Sequence, residues 1–334
     1  MWQQRTRFGH VICLSLLASV FATAARPGRA VVLGIDGSRF TVDGKPTFLL
    51  GVSYYGALSA PRRFVRQDLD GLRAKGFNWV RVWATWRAGD VDVSAVSRDG
   101  SAREPYLSRL IWLVRQADRR RIVVDVTLSR GDFLPTQDAH LAAAEVLAQA
   151  LAPFGNVYFD LANERDVRDA RYVGFEELRQ LRDEVKHTDP DRLVTASGDS
   201  DPGAYLRAAA LDFFSPHLGR DAGAPDRTAD AVRGYLARMR DLGCLAPVHL
   251  QEPMRRDYGR WQPVAADFLT DLRGALAGGA AGWCLHNGGP KGGQEGPPRC
   301  FDMSQRRLLH QLDPEELAVV DAAPGIVRER WRAN

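Results

Sequence analysis

Cysteine is scarce in this chain: four among 334 residues, at positions 13, 244, 284 and 300, with no Cys-x-x-Cys pair. That excludes a disulfide-built scaffold and the thiol-redox and cysteine-zinc motifs. There is no His-Glu-x-x-His for a zinc hydrolase, no Gly-x-Ser-x-Gly for a serine nucleophile elbow and no phosphate-cradling glycine-rich loop after a strand. No low-complexity linker divides the sequence, so a second domain is not expected. The charge is nearly balanced, with 45 basic and 41 acidic residues and a formal net charge of +4. The nearest thing to a basic run, Arg119-Arg120-Arg121, sits where a helix should end and suits the helix dipole, so a nucleic-acid partner is not expected.

The N-terminus reads as an address. Arg5 and Arg7 precede an apolar run from Val11 to Phe21, which is too short to span a membrane, and Ala22-Thr23-Ala24 follows as a small-x-small cleavage pattern. Residues 1–24 are expected to be a secretory signal and 25–334 the mature domain, secreted or periplasmic and without stable membrane insertion. An uncleaved anchor is the alternative. Cleavage removes Arg5 and Arg7 and no acid, so the net charge falls from +4 to +2. Of the three remaining cysteines, Cys284 and Cys300 would clip a Gly/Pro-rich loop if paired, while reduced, buried cysteines fit equally well.

With 45% hydrophobic residues, the chain can bury a large core. Strand-like and helix-like segments alternate along it. Phe48–Tyr55 is strand-like, then Arg62–Lys75 carries Phe64, Val65, Leu69 and Leu72 at helical spacing and stops at Gly76. The strand-like runs Trp79–Trp83, Ile122–Leu128, Asn156–Ala162, Leu193–Ala196, Leu211–His217, Pro247–Glu252 and Ala281–Leu285 follow, each with a helical pattern after it. Eight strand-helix units with near-continuous apolar strands predict a parallel sheet covered by helices and closed as a single (β/α)8 barrel. An open doubly wound sheet is the alternative. Asp-Gly turns between Gly34 and Pro46 predict a short N-terminal β-hairpin that plugs the barrel bottom.

Two of these strands end in glutamate: Asn156-Val-Tyr-Phe-Asp-Leu-Ala-Asn-Glu164 and Pro247-Val-His-Leu-Gln-Glu252. Barrel strands deliver their C-terminal residues to one mouth, so Glu164 and Glu252 are expected to face each other there. Paired carboxylates from separate segments suit glycosidic bond cleavage, where one protonates the leaving oxygen and the other attacks the anomeric carbon. A retaining pair should stand about 5 to 5.5 Å apart. The acid should be kept protonated near neutral pH by burial and by its charged neighbour. Arg81, inside an apolar strand, is too costly to bury unpaired; it is expected to hold the nucleophile ionised or to pair with Asp125 or Asp160.

These residues and their order resemble the cellulase-like, family 5-like glycoside hydrolases of the large retaining (β/α)8-barrel clan. The resemblance runs from about Phe40 to Asn287. It implies Glu164 as acid/base, Glu252 as nucleophile, and Arg81, Asn163 and His217 as residues of the substrate site. Trp283, Tyr55 and Trp83 are expected as aromatic sugar platforms, with Tyr54 and Trp86 as further ones. Carbohydrate is the implied partner, and neither a metal nor a cofactor is expected. His286, His310, Cys284 and Cys300 match no standard metal spacing. The chain departs from the family where Arg165 stands in place of a proline after Glu164. A tyrosine expected two residues after His217 is also missing, with Tyr258 as a substitute. Transglycosylation through the same intermediate, and a barrel that binds carbohydrate without cutting it, are the competing readings.

Overall fold

A computed structural model describes residues 31–88, 91–128, 133–166, 171–198, 201–287 and 301–331. Eight parallel strands form the interior: β1 (Leu49–Ser53), β2 (Trp79–Trp83), β3 (Val123–Thr127), β4 (Val157–Asp160), β5 (Leu193–Thr195), β6 (Ser215–Pro216), β7 (His249–Leu250) and β8 (Gly282–Leu285). Seven of them pair in the order β5-β4-β3-β2-β1-β8-β7. β6 closes the ring. Ser197–Gly198, just past β5, pairs with β6, and a parallel bridge joins Phe214 to Val248 before β7. The expected (β/α)8 barrel is therefore the observed fold.

The helices are α1 (Arg62–Lys75), α2 (Tyr106–Asp118), α3 (Gln137–Leu151), α4 (Phe175–Thr188), α5 (Ala224–Asp241), α6 (Ala265–Gly278) and α7 (Pro314–Trp331). The unit after β5 makes only a short π-helical turn, Ala204–Ala208. Apolar residues at helical spacing set the buried faces: Val65, Leu69 and Leu72 on α1, and Val232, Leu236 and Met239 on α5. Their burial against the outer face of the sheet makes the main core.

A second, smaller core lies inside the barrel at its N-terminal end. Leu33–Asp36 and Arg39–Val42 pair as an antiparallel hairpin, with Lys45–Pro46 as a third strand. Asp43 and Gly44 both have positive φ, 53° and 74°, as a tight hairpin turn of this kind requires. The hairpin sends Phe40 into the barrel, where its ring meets Phe213 at 5.0 Å and His249 at 5.3 Å edge-on. Full burial of this side chain contributes about 2–3 kcal/mol. The Trp79 ring lies so close across β1 that a Cβ on Gly51 would stand 1.8 Å from it, which accounts for glycine within an apolar strand. With one end plugged, the C-terminal end is the open mouth.

The signal segment 1–24, Cys300 and the loop from Gly288 to Pro298 lie outside the described residues, and with them the expected cleavage; Cys284 is a free, buried thiol, which fits the reduced alternative and not the Cys284–Cys300 pairing. Among the described residues, no helix is long and apolar enough to cross a membrane.

Candidate active site

Alternate residues of a strand face opposite sides of the sheet, so Trp79, Arg81 and Trp83 all point into the barrel from β2. Arg81 is fully buried there. Its Nε donates to Thr127 Oγ1 at 3.0 Å and lies 3.1 Å from Asp125 Oδ2. Its Nη2 donates to Asp160 Oδ2 at 2.7 Å and to Asn163 Oδ1 at 2.9 Å. Its Nη1 donates to Glu252 Oε1. The two roles expected as alternatives for Arg81 thus coexist: one guanidinium holds the nucleophile candidate and two structural carboxylates. Burial pushes Asp125 up to about 8 despite Arg81, with Asp160 adding to the push.

Arg81→Met should therefore do two things at once. It leaves Asp125 and Asp160 without their cation and Glu252 with Arg220 as its remaining arginine, a loss of about 3–5 kcal/mol at neutral pH. Asp125 and Asp160, already above their ordinary values, rise further and Glu252 loses part of what lowers it, so the deficit shrinks as pH falls and the groups protonate. Thermal unfolding of wild type and variant at acidic and neutral pH checks this, and a deficit independent of pH would contradict it. The acidic limb of kcat/KM should also move upward.

Glu252 follows β7 and is nearly buried. Besides Arg81, its Oε1 accepts from the Tyr55 hydroxyl at 3.1 Å, and its Oε2 accepts from Arg220 Nη2 at 2.9 Å. Burial opposes its charge, but His217, Arg81 and Arg220 together hold its carboxyl well below the usual glutamate range. Burial and the charge of Glu252 push the Tyr55 hydroxyl far up, which keeps it a donor. The contact sought from a tyrosine after His217, or from Tyr258, is thus made by Tyr55. Tyr258 instead lies 4.9 Å from the guanidinium of Arg220.

Glu164 lies four residues past β4, where the chain takes a left-handed backbone with φ 45°. Two contacts hold that turn: Glu164 N–H donates to Ser197 Oγ at 3.0 Å, and Arg165 N–H to the Ser197 carbonyl at 3.2 Å. The Arg165 side chain is 4% exposed, sits 3.7 Å from the Phe175 ring centroid and donates to the Tyr172 hydroxyl and the Val173 carbonyl. Arg165 therefore ties the end of β4 to the start of α4.

The Glu164 carboxylate meets His217 Nδ1 at 3.2 Å and Arg220 Nη2 at 3.6 Å. Burial and Glu252 push its pKa up, yet His217 and Arg220 outweigh them and the carboxyl lies below its ordinary value. This corrects the expectation of a protonated acid: His217 and the arginines favour two ionised glutamates. Glu164 is the more exposed of the pair, 16% against 7%.

Asn163 accepts at Oδ1 from both Arg81 and Ser197, which leaves its NH2 as the outward donor. His217 Nε2 is buried and has no hydrogen-bond partner among the described residues. Trp83 and Tyr55 pack edge-on at 5.8 Å, and Tyr55 stacks on Trp86 at 4.9 Å. All three rings are under 9% exposed, so they wall the site rather than offer open platforms.

Two aromatic expectations fail. Trp283 faces away from the mouth: its side chain is buried outside β8 and its indole N–H donates to Asp271 on α6 at 2.6 Å. Its neighbour Cys284 takes the inward position, beside Ser53. Tyr54 likewise points outward, donating to Asp68 on α1 at 3.0 Å.

Two residues not singled out for the chemistry join the site. Arg220, in the loop after β6, contacts both glutamates. His286, one residue past β8 and on the parity of Cys284, donates from Nδ1 to the Pro253 carbonyl at 2.9 Å, so its Nε2 faces Glu252 Oε2 at 3.7 Å as an acceptor. Burial holds it neutral. His286 shares the parity of Cys284, which the sequence leaves open, and Arg220 has no sequence signal.

One oxygen each of Glu164 and Glu252 and a ring nitrogen of His217 lie within 4.8 Å of one another, the one such group among the described residues that offers metal ligands. Arg81 and Arg220 already neutralise those carboxylates, so a cation there would compete with Arg220. The cleft in front has a volume of ≈ 590 Å³, with Glu164, Asp166, Gly198, His217, Leu218, Arg220, Asp221 and Tyr258 on its walls.

No protein-family model and no curated protein sequence matches the chain. Solved structures do. The chain is similar to the endo-1,4-β-mannanase of Rhizomucor miehei, with TM-score 0.66 and 15% identity over 89% of this chain and 99% of that one. It is also similar to a glycoside hydrolase family 5 protein of Bacteroides vulgatus ATCC 8482, with TM-score 0.65 and 16% identity over 85% of this chain and 69% of that one. A third match is the β-mannanase of the blue mussel Mytilus edulis, with TM-score 0.57 and 13% identity over 88% and 96% of the two chains. At these identities the likeness is one of architecture: the chain has the (β/α)8-barrel fold of family 5-like glycoside hydrolases.

Proposed function

We propose that the chain is a retaining glycoside hydrolase that cleaves β-glycosidic bonds of an oligo- or polysaccharide through Glu252 as nucleophile and Glu164 as acid/base. The observation that carries this reading is the pair itself. An oxygen of each carboxylate lies within 4.8 Å of one of the other, which supports the closer spacing of a retaining pair over the wider one of an inverting pair. Their surroundings differ as the two roles do. Glu252 is gripped by Arg81 and Tyr55 in the wall, as an ionised nucleophile needs, while the more exposed Glu164 is within reach of a leaving oxygen and later of water. The NH2 of Asn163 and Nε2 of His217 are then available to sugar hydroxyls. The mannanases among the similar structures make a β-linked hexose polymer a reasonable first substrate to try. We also read residues 25–334 as one exported catalytic domain, released by cleavage after Ala24.

A 2-deoxy-2-fluoro glycoside with a good leaving group tests the assignment. It should inactivate the protein and leave a glycosyl label on the peptide containing Glu252, read by mass spectrometry. A label on Glu164 would reverse the roles.

A further inference from the structure

Attack by Glu252 needs one of its oxygens open, and both are occupied. Arg81 and Tyr55 hold Oε1; Arg220 Nη2 holds Oε2 at 2.9 Å and stands 3.6 Å from Glu164 Oε1. A single guanidinium thus lies across the gap that a glycosidic bond has to enter. It comes from a loop rather than from the barrel, is 11% exposed, and packs on the Tyr258 ring. Arg255, from the loop after β7, lies 5.1 Å from the centroid of the same ring and has no carboxylate partner among the described residues. Two acids besides Glu164 also line the cleft, Asp166 beside Gly198 and Asp221, and Asp221 is taken by Arg227 at 2.7 Å.

Drawing Arg220 off the glutamates breaks two poorly solvated ion pairs. A neutral sugar returns only hydroxyl hydrogen bonds. A sugar carboxylate returns a charge-assisted pair of the kind that guanidinium forms best. We infer that the cleft selects a glycan carrying a uronic acid next to the bond cleaved, with Arg220 and Arg255 beside Tyr258 as the residues that determine this specificity. The inference rests on the glycosidase reading and adds a substrate class to it. It also supplies the missing acid: as Arg220 turns to the sugar carboxylate, Glu164 loses a cation that keeps it ionised.

The test compares aryl β-hexuronides with neutral hexosides identical except at C6, on wild type and Arg255→Gln, at low and high salt. The best uronide should exceed its neutral counterpart in kcat/KM by about tenfold or more, and the advantage should shrink with salt. Arg255→Gln should lose about tenfold more on the uronide than on the neutral sugar, through KM, and Arg255→Lys should restore part of the difference. Neutral sugars cleaved as well as acidic ones, or equal losses on both, would overturn the inference and leave the hydrolase reading standing. Calorimetric titration with a uronate oligosaccharide and its carboxyl-reduced form separates the opposite case. Tighter binding of the acidic form without turnover of any glycoside sinks the hydrolase reading alone; equal binding sinks the inference.

Discussion

Glu252→Ala is expected to lower kcat on the order of 10⁵-fold, with azide restoring turnover of an activated aryl glycoside and giving a glycosyl azide of inverted configuration. The size of the loss follows from what the side chain does: no neighbour can replace it. His286 faces the same space, but its Nδ1 proton is committed to Pro253 and its Nε2 lies 3.7 Å from Glu252 Oε2. Arg81 and Tyr55 stay to orient an anion, which is why azide should work in the vacated position. The variant also leaves Arg81 with Asp125 and Asp160, so it should fold. Product configuration by NMR is the decisive readout, and retained configuration with azide would remove Glu252 from the nucleophile's role.

Glu164→Ala should fail differently. With a poor leaving group the loss is about 10²–10⁴-fold, the value of general acid catalysis; with dinitrophenyl it should nearly vanish in the first step and reappear as slow deglycosylation, seen as a burst. The pH profile carries a second signature. In the free protein Glu164 is surrounded by Glu252, His217 and Arg220 and lies below its ordinary value of 4.5, so the alkaline limb of kcat/KM should lie on the acidic side of that value. The limb of kcat, which reports the complex, should lie higher if substrate draws Arg220 away. Both limbs should disappear in Glu164→Ala. Coincident limbs in wild type would mean that Arg220 stays on the glutamates throughout.

The barrel was legible because its strands are buried on both faces and its helices on one, two patterns that the order of apolar residues and the segment lengths distinguish. The same double burial explains the error at Trp283. In a strand apolar on both sides, nothing in the sequence says which parity faces the interior, and Trp283 and Cys284 look equally suited to either. Charged residues break that symmetry. Arg81, Asp125 and Asp160 cannot face the helices unpaired, so they mark the inside, and Glu252 was placed with them. Arg220 escaped because it sits on a loop whose path depends on the whole fold, and one arginine among 45 basic residues carries no pattern. The ionised state of Glu164 escaped for the same reason: its pKa is set by Arg220 and His217, which only the closed barrel brings near.

The left-handed backbone at Glu164 has a wider consequence. A residue with a β-carbon pays roughly 1 kcal/mol or more to sit there, and glycine or asparagine would sit more easily. Ser197 and the stacked side chain of Arg165 hold the turn against that preference. Stability and chemistry therefore pull in opposite directions at this position. A laboratory lineage selected only for resistance to heat would be drawn to discard Glu164 early and would yield a sturdier barrel with an idle mouth.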